Sequence, residues 1–171
     1  MSTKKLMISG NYCYNDFPLE LIPIIQNFAN LGYEFIISGK GRISKDFQLF
    51  FEGLGLQNKV TLYELKDNER EIKSSFNKKS YLYKVDEENK KAVITCNGNI
   101  ELEIEEVKDN EQLEKKREFY SFIDERLIEE CDEALIIWNG DTTVKRMFSM
   151  IQSLNLSNKK IYSIIVNGVP Q

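Results

Sequence analysis

The chain has 171 residues, 42 % of them hydrophobic, and a net charge of −4. That length and apolar share suit one domain with its own core and exclude the disordered class. The acidic balance argues against general DNA or RNA binding, which needs a basic surface, and the lack of any histidine excludes Ser-His-Asp, Cys-His and histidine–metal chemistry.

The three cysteines, Cys13, Cys96 and Cys131, are widely spaced and form no CxxC. They read as free thiols in a reducing cytoplasm, with no structural zinc site expected. Nothing approaches the ~20 apolar residues of a membrane span, and no export signal is visible. The expectation is a cytoplasmic protein with no membrane partner, no metal and no cofactor.

Residues 5–9 (KLMIS) form a short apolar run that stops at Gly10, as a buried strand would. Leu19, Leu21, Ile22, Ile25, Phe28 and Ala29 recur at helical spacing, so residues 18–31 are expected as a helix stopped by Gly32. Pro18 suits its first turn, whereas Pro23 is expected to start or kink it. Residues 33–38 (YEFIIS) read as a second strand. Phe47, Phe50, Phe51 and Leu54 mark a second helix, capped by Ser44 and stopped near Gly53 or Gly55. Residues 60–65 (VTLYEL) read as a third strand.

The pattern then changes: 27 of the 55 residues from 64 to 118 are charged. Within that stretch, residues 81–85, 92–96 and 100–107 alternate apolar with polar, and Asn97-Gly98 is a hairpin turn signal. A small antiparallel hairpin or meander, inserted at about 68–108, is expected. Residues 111–131 form a charged helix with Leu113, Phe119, Phe122, Ile123, Leu127 and Ile128 on its core side. Residues 134–138 are the fourth main strand, 143–154 a helix and 160–166 the last strand.

Apolar strands alternating with amphipathic helices indicate an α/β fold. The expectation is a single Rossmann-like domain over residues 1–171. Its parallel sheet would have the order 3-2-1-4-5, with helices on both faces. Ligands of such sheets bind at strand C-termini, beside the point where the strand order reverses.

Polar and small residues cluster at those expected ends: Ser9, Gly10, Asn11 and Tyr12; Ser38, Gly39, Lys40, Gly41 and Arg42; and Asn139, Gly140, Asp141, Thr142 and Thr143. Each group includes a glycine, which permits tight turns, and each precedes a helix whose N-terminal N–H groups attract anions. The same composition also serves ordinary turns between strand and helix. Trp138 either caps the core or stacks on a base; Asp46 is either a dipole-stabilising acid or a site residue. Asp132 reads as a turn residue. Arg117 and Tyr120 lie on a solvated helix face or reach a neighbouring pocket.

The segments MISGNYCY, IISGKGRISKDFQLFFEGLGLQNKVTLYEL and ERLIEECDEALIIWNGDTTVKRMFSMIQ resemble the SLOG superfamily over roughly residues 1–65 and 117–166. That superfamily includes the Lonely Guy cytokinin-activating enzymes, DNA-processing proteins and bacterial immune sensors; nucleoside deoxyribosyltransferases are similar in layout. Gly39, Gly41 and Asp46 match its second-strand pattern, and Cys131-Asp132-Glu133-Ala134 its approach to the fourth strand. The family's phosphoribohydrolase signature is absent: after Thr143 come Val, Lys, Arg and Met, with no Glu at the catalytic place.

The resemblance therefore implies nucleotide-type binding, for sensing or sequestration, more than glycosidic cleavage, and it implies subunit pairing, hence a homo-oligomer. No catalytic residue is assigned. One alternative is a nucleoside N-glycosidase or deoxyribosyltransferase-like enzyme using Asp46, Asp124 or Asp141. Another is a protein-interaction module built on the insertion.

Overall fold

The computed structural model describes residues 3–11, 19–40, 42–67, 74–86, 88, 91–105, 122–141 and 143–166. Its elements are β1 Lys5–Asn11, α1 Leu21–Asn30, β2 Glu34–Ser38, α2 Arg42–Leu54, a 3-10 turn Gln57–Lys59, β3 Val60–Lys66, β4 Asn77–Asp86, β5 Lys91–Cys96, β6 Asn99–Glu105, α3 Phe122–Glu130, β7 Glu133–Trp138, α4 Lys145–Leu156 and β8 Lys160–Ile165. The protein is α/β, with one mixed, mostly parallel sheet in the order β6-β5-β4-β3-β2-β1-β7-β8.

The five strands that read as near-continuous apolar runs all pair in parallel. The central strands β1, β2 and β7 are buried on both faces because alternate side chains feed two cores, whereas the edge strand β8 is partly exposed. Leu6, Ile8, Phe35, Ile37, Leu62, Leu135 and Ile137 pack under Leu21, Ile25 and Phe28 of α1 and Phe47 and Phe51 of α2. Met7, Ile36, Tyr63, Ala134 and Ile136 face Phe122, Ile123 and Leu127 of α3 and Met147, Met150 and Leu154 of α4.

The charged middle segment extends this sheet. β4 pairs in parallel with β3, from Thr61↔Asn77 to Lys66↔Leu82. β5 and β6 follow it antiparallel. Asn97 and Gly98, at φ 52° and 81°, make the tight turn between those two strands, as a two-residue hairpin requires. The inward face of β5 (Ala92, Ile94 and Cys96) is buried. The segment thus gains its hydrophobic face by borrowing the edge of β3.

Two local expectations are corrected. Ser44 does not cap α2: the helix begins at Arg42, and the buried Ser44 hydroxyl instead donates to the Ser38 carbonyl and accepts from Gln48. Pro23 does not start α1, which begins at Leu21. It is the third residue of the helix, within the first turn, where its missing N–H has no partner to lose. Pro18, Leu113 and Phe119 lie outside the described residues.

Among the described residues no helix is long and apolar enough to cross a membrane.

Candidate functional site

Parallel pairing sends the C-termini of β1, β2 and β7 to one rim. Ser38 lies two residues past Ile36, as Ser9 lies two past its partner Met7. Gly10 pairs with Ile137, and Asn11 with Trp138. The chain passes outward from β1 through β2 to β3 on one side, and from β7 to β8 on the other. The gap between β1 and β7 is therefore where the connections diverge, the usual ligand position in open α/β sheets. Helices joining parallel strands must run back across the sheet, so α1, α2 and α4 begin at this rim.

Ser9, Gly10, Asn11, Ser38, Gly39, Lys40, Trp138, Asn139, Gly140, Asp141 and Thr143 stand at or just beyond those strand ends. Asp46 lies further in, at the start of the second turn of α2. Tyr12, Gly41 and Thr142 lie outside the described residues, as do Cys13, Arg117 and Tyr120. Asn11 and Arg42 are placed by backbone only.

The sheet itself crowds two of the glycines. A Cβ on Gly10 would sit 2.1 Å from the Ile137 carbonyl oxygen, and one on Gly39 would sit 2.7 Å from Glu64 Cγ. Backbone of the neighbouring strand leaves Gly10 no room for a side chain, whereas at Gly39 the close atom belongs to the Glu64 side chain and the nearest backbone oxygen, of Tyr63, is 3.3 Å away. Gly140 differs: its φ of +80° is a left-handed conformation that glycine adopts without strain.

The hydroxyl and amide groups of the rim are largely engaged locally. Ser9 is buried; its Oγ donates toward Met150 Sδ at 3.8 Å and accepts from Arg146 at 3.4 Å. Ser38 Oγ accepts from Lys40 N at 3.3 Å. Asn139 Oδ1 accepts from Asp141 N at 3.0 Å. Asp141 Oδ1 accepts from Thr143 N at 2.9 Å and from Thr143 Oγ1 at 2.6 Å, and these bonds hold the exposed carboxyl below its ordinary range. The Trp138 indole donates to Ser163 Oγ at 2.8 Å, and its half-buried ring packs against the α3–α4 core.

Sequence reasoning missed the charge pair between α3 and α4. Arg146 grips Asp124 with two bonds, Nε to Oδ2 at 3.0 Å and Nη2 to Oδ1 at 2.9 Å. The Asp124 side chain is 5 % exposed and that of Arg146 40 % exposed. Nη1 of Arg146 also reaches the Gly10 carbonyl at 3.5 Å. Arg146 followed the expected strand–turn element, but only the packing of α3 against α4 could show its partner.

The helix starts carry an unusual charge. Acidic residues favour a helix N-terminus through its dipole, and basic ones oppose it. The first turns of α2 and α4 contain no acid. They carry Arg42 and Lys45, and Lys145 and Arg146, with the exposed Lys40 just before α2.

Two other carboxylates, the buried Glu133 and the partly buried Glu130, are held by tyrosines and lysines. Glu133, at the start of β7, accepts from Tyr162 Oη at 2.7 Å, Tyr33 Oη at 2.8 Å and Lys4 Nζ at 3.1 Å. Burial disfavours its charge, but these bonds and the Lys4 ammonium outweigh it and hold the carboxyl below its usual range. Burial and the Glu133 carboxylate push the Tyr33 phenol up to about 12. Glu130, at the end of α3, accepts from Lys79, Tyr63 and Tyr81. Its burial is likewise outweighed by those partners, so its carboxyl is lowered, while burial and Glu130 raise both phenols. Glu133 ties the start of β7 to β8 and to the residues before β1 and β2, and Glu130 ties the end of α3 to β3 and β4. The Cys96 and Cys131 thiols are free and buried, and burial pushes Cys131 up to about 11.

A groove of about 590 Å³ lies elsewhere, between α1 and β8, lined mainly by Pro23, Ile24, Phe28, Leu135, Tyr162 and Ile164. Its walls are apolar, unlike the basic rim. Among the described residues no group of three His, Cys, Asp or Glu side chains is placed to hold a metal ion.

Comparison of the chain with family models, with curated proteins and with solved structures finds no match in any of the three.

Proposed function

We propose that the rim between β1 and β7 binds a nucleotide or nucleotide-derived signalling molecule, as a sensor or sequestering protein rather than a catalyst. One observation carries this reading: α4 opens at the divergence point of a parallel sheet and α2 one strand away from it, and the first turns of both carry basic residues and no acid. Dipole and side chains there have the same sign, an arrangement that an anion relieves. Lys40 adds to it, and the left-handed Gly140 shapes the loop entering α4.

The Rossmann-like topology and the SLOG resemblance belong to this proposal, supported by the order of the five parallel strands and by the matched motifs. Cytoplasmic residence and self-association belong to it too. The exposed Phe148, Leu156 and Ile165 around the end strand β8 support the latter.

The test is a thermal-shift screen against nucleoside monophosphates, cyclic oligonucleotides and ADP-ribose derivatives. A ligand at one hundred times its Kd adds about 2.7 kcal/mol, or about 5–10 °C for a chain of this size. If no compound moves the midpoint by 1 °C at millimolar concentration, the reading fails. Release of free base from any compound would replace it with the glycosidase alternative. Asp124 is committed to Arg146 and one oxygen of Asp141 to Thr143, which supports binding over turnover.

A further inference from the structure

We infer that Arg146 is the residue that contacts the anionic group of the ligand, that this group is a phosphate ester, and that Asp124 is the residue that positions the arginine. The inference rests on the proposed rim site and names the chemistry it recognises.

The two partners of the Arg146–Asp124 pair are unevenly exposed. Here the carboxylate is hidden and the cation is presented, at 5 % and 40 % side-chain exposure. Asp124 takes Nε and one side of Nη2, the short bonds, which fixes the plane of the guanidinium. The remaining contacts are long and go to uncharged atoms: Ser9 Oγ at 3.4 Å, the Gly10 carbonyl at 3.5 Å and Met147 Sδ at 3.7 Å. One edge of a five-donor fork is thus locked. The other points to the end of β1 with weak acceptors that a charged oxygen would outcompete.

Arg146 is the second residue of α4, so its charge stands beside the positive end of the helix dipole, which disfavours it. Asp124, buried on α3, offsets one charge. Lys145 beside it is exposed. A phosphate oxygen would replace the weak acceptors on the free edge of Arg146. A planar fork also suits the paired oxygens of a phosphate better than an ammonium does.

The test measures binding of adenosine, guanosine, cytidine and uridine 5′-monophosphates, their parent nucleosides and inorganic phosphate, by Trp138 fluorescence and calorimetry. Removing Arg146 alone strands a buried carboxylate and risks unfolding. The informative variants are therefore Arg146→Lys and the apolar double replacement Arg146→Met with Asp124→Leu, each checked by thermal melting. The wild type is expected to bind a monophosphate at least tenfold tighter than its nucleoside. That ratio should fall toward one in the double variant and drop several-fold in Arg146→Lys. Asp124→Asn should weaken phosphate binding several-fold, leave nucleoside binding unchanged and be partly rescued by Asp124→Glu.

A ratio of affinities is insensitive to general loss of stability, so a merely structural arginine would leave it unchanged. Folded variants that keep the wild-type ratio overturn the inference while leaving the rim site standing. A wild type that binds none of these phosphate-bearing probes overturns the inference, and it overturns the rim site as well when cyclic oligonucleotides and ADP-ribose derivatives also leave the melting midpoint unmoved.

Discussion

Replacing Gly10 with alanine asks whether this glycine is demanded by the sheet. The new Cβ would lie 2.1 Å from the Ile137 carbonyl oxygen and 3.1 Å from its carbon. Such atoms essentially never come within 3.0 Å of a neighbour, so β1 and β7 must part locally by at least 0.9 Å. The obstacle is backbone of the adjacent strand, so no side-chain rotation relieves it. Ladder hydrogen bonds of about 2.9 Å would stretch to about 3.8 Å, beyond the useful range. Losing one or two of them costs about 1 kcal/mol each, and overpacking adds about 1–3 kcal/mol. The expected loss is about 3 kcal/mol, a large part of the roughly 5–15 kcal/mol that holds a domain folded. Urea unfolding followed by far-UV circular dichroism measures it, with the denaturant slope unchanged. A loss under about 1 kcal/mol would refute the steric argument. So would a variant of full stability that lost only ligand affinity, since the glycine would then serve the ligand.

Glu133→Gln should flatten the acid limb of stability. The folded carboxyl is lowered from 4.5, so its contribution is present above that pH and lost as pH falls below it; melts from pH 7 to 3 should drop less in the variant than in the wild type. The Tyr33 phenol is raised from 10.0 to about 12, so its contribution holds below pH 10 and is lost as pH rises through 12. Tyr33→Phe should remove that alkaline loss, and identical alkaline limbs in the two proteins would count against it. Glu130→Ala leaves the Tyr63 and Tyr81 phenols without their acceptor; at about 1–3 kcal/mol for each unsatisfied group, urea unfolding should show a loss of about 3 kcal/mol, smaller in Glu130→Gln. Gly140→Ala forces a side chain into left-handed backbone at φ +80° and should cost about 1 kcal/mol; no cost in urea unfolding would mean that the loop entering α4 relaxes freely.

The candidate site was legible in its backbone and not in its charges. Ser9-Gly10, Ser38-Gly39 and Asn139-Gly140 announce strand ends because apolar runs stop at small residues, and those corners stand on one rim. What each residue does there was hidden. Ser9, expected as an open donor, is buried against Met150 and Arg146. Gly10 looks like a ligand glycine, and the backbone of the neighbouring strand already requires it. Asp124 and Arg146 are 22 residues apart, on two helices whose crossing no periodicity encodes.

The same division runs through the fold. Hydrophobic period and turn chemistry are local, so the chain by itself determined where β1 and β2 lie, that Asn97-Gly98 turns a hairpin, and that the class is α/β. Pairing is not local. Only the tertiary structure decided that β4 takes the free edge of β3, and that Glu130 and Glu133 bind tyrosines and lysines from distant strands. It also decided which of the chain's many carboxylates meets Arg146. Each choice depends on which surfaces remain unburied after the rest has packed, and that is a property of the assembled sheet rather than of any segment within it.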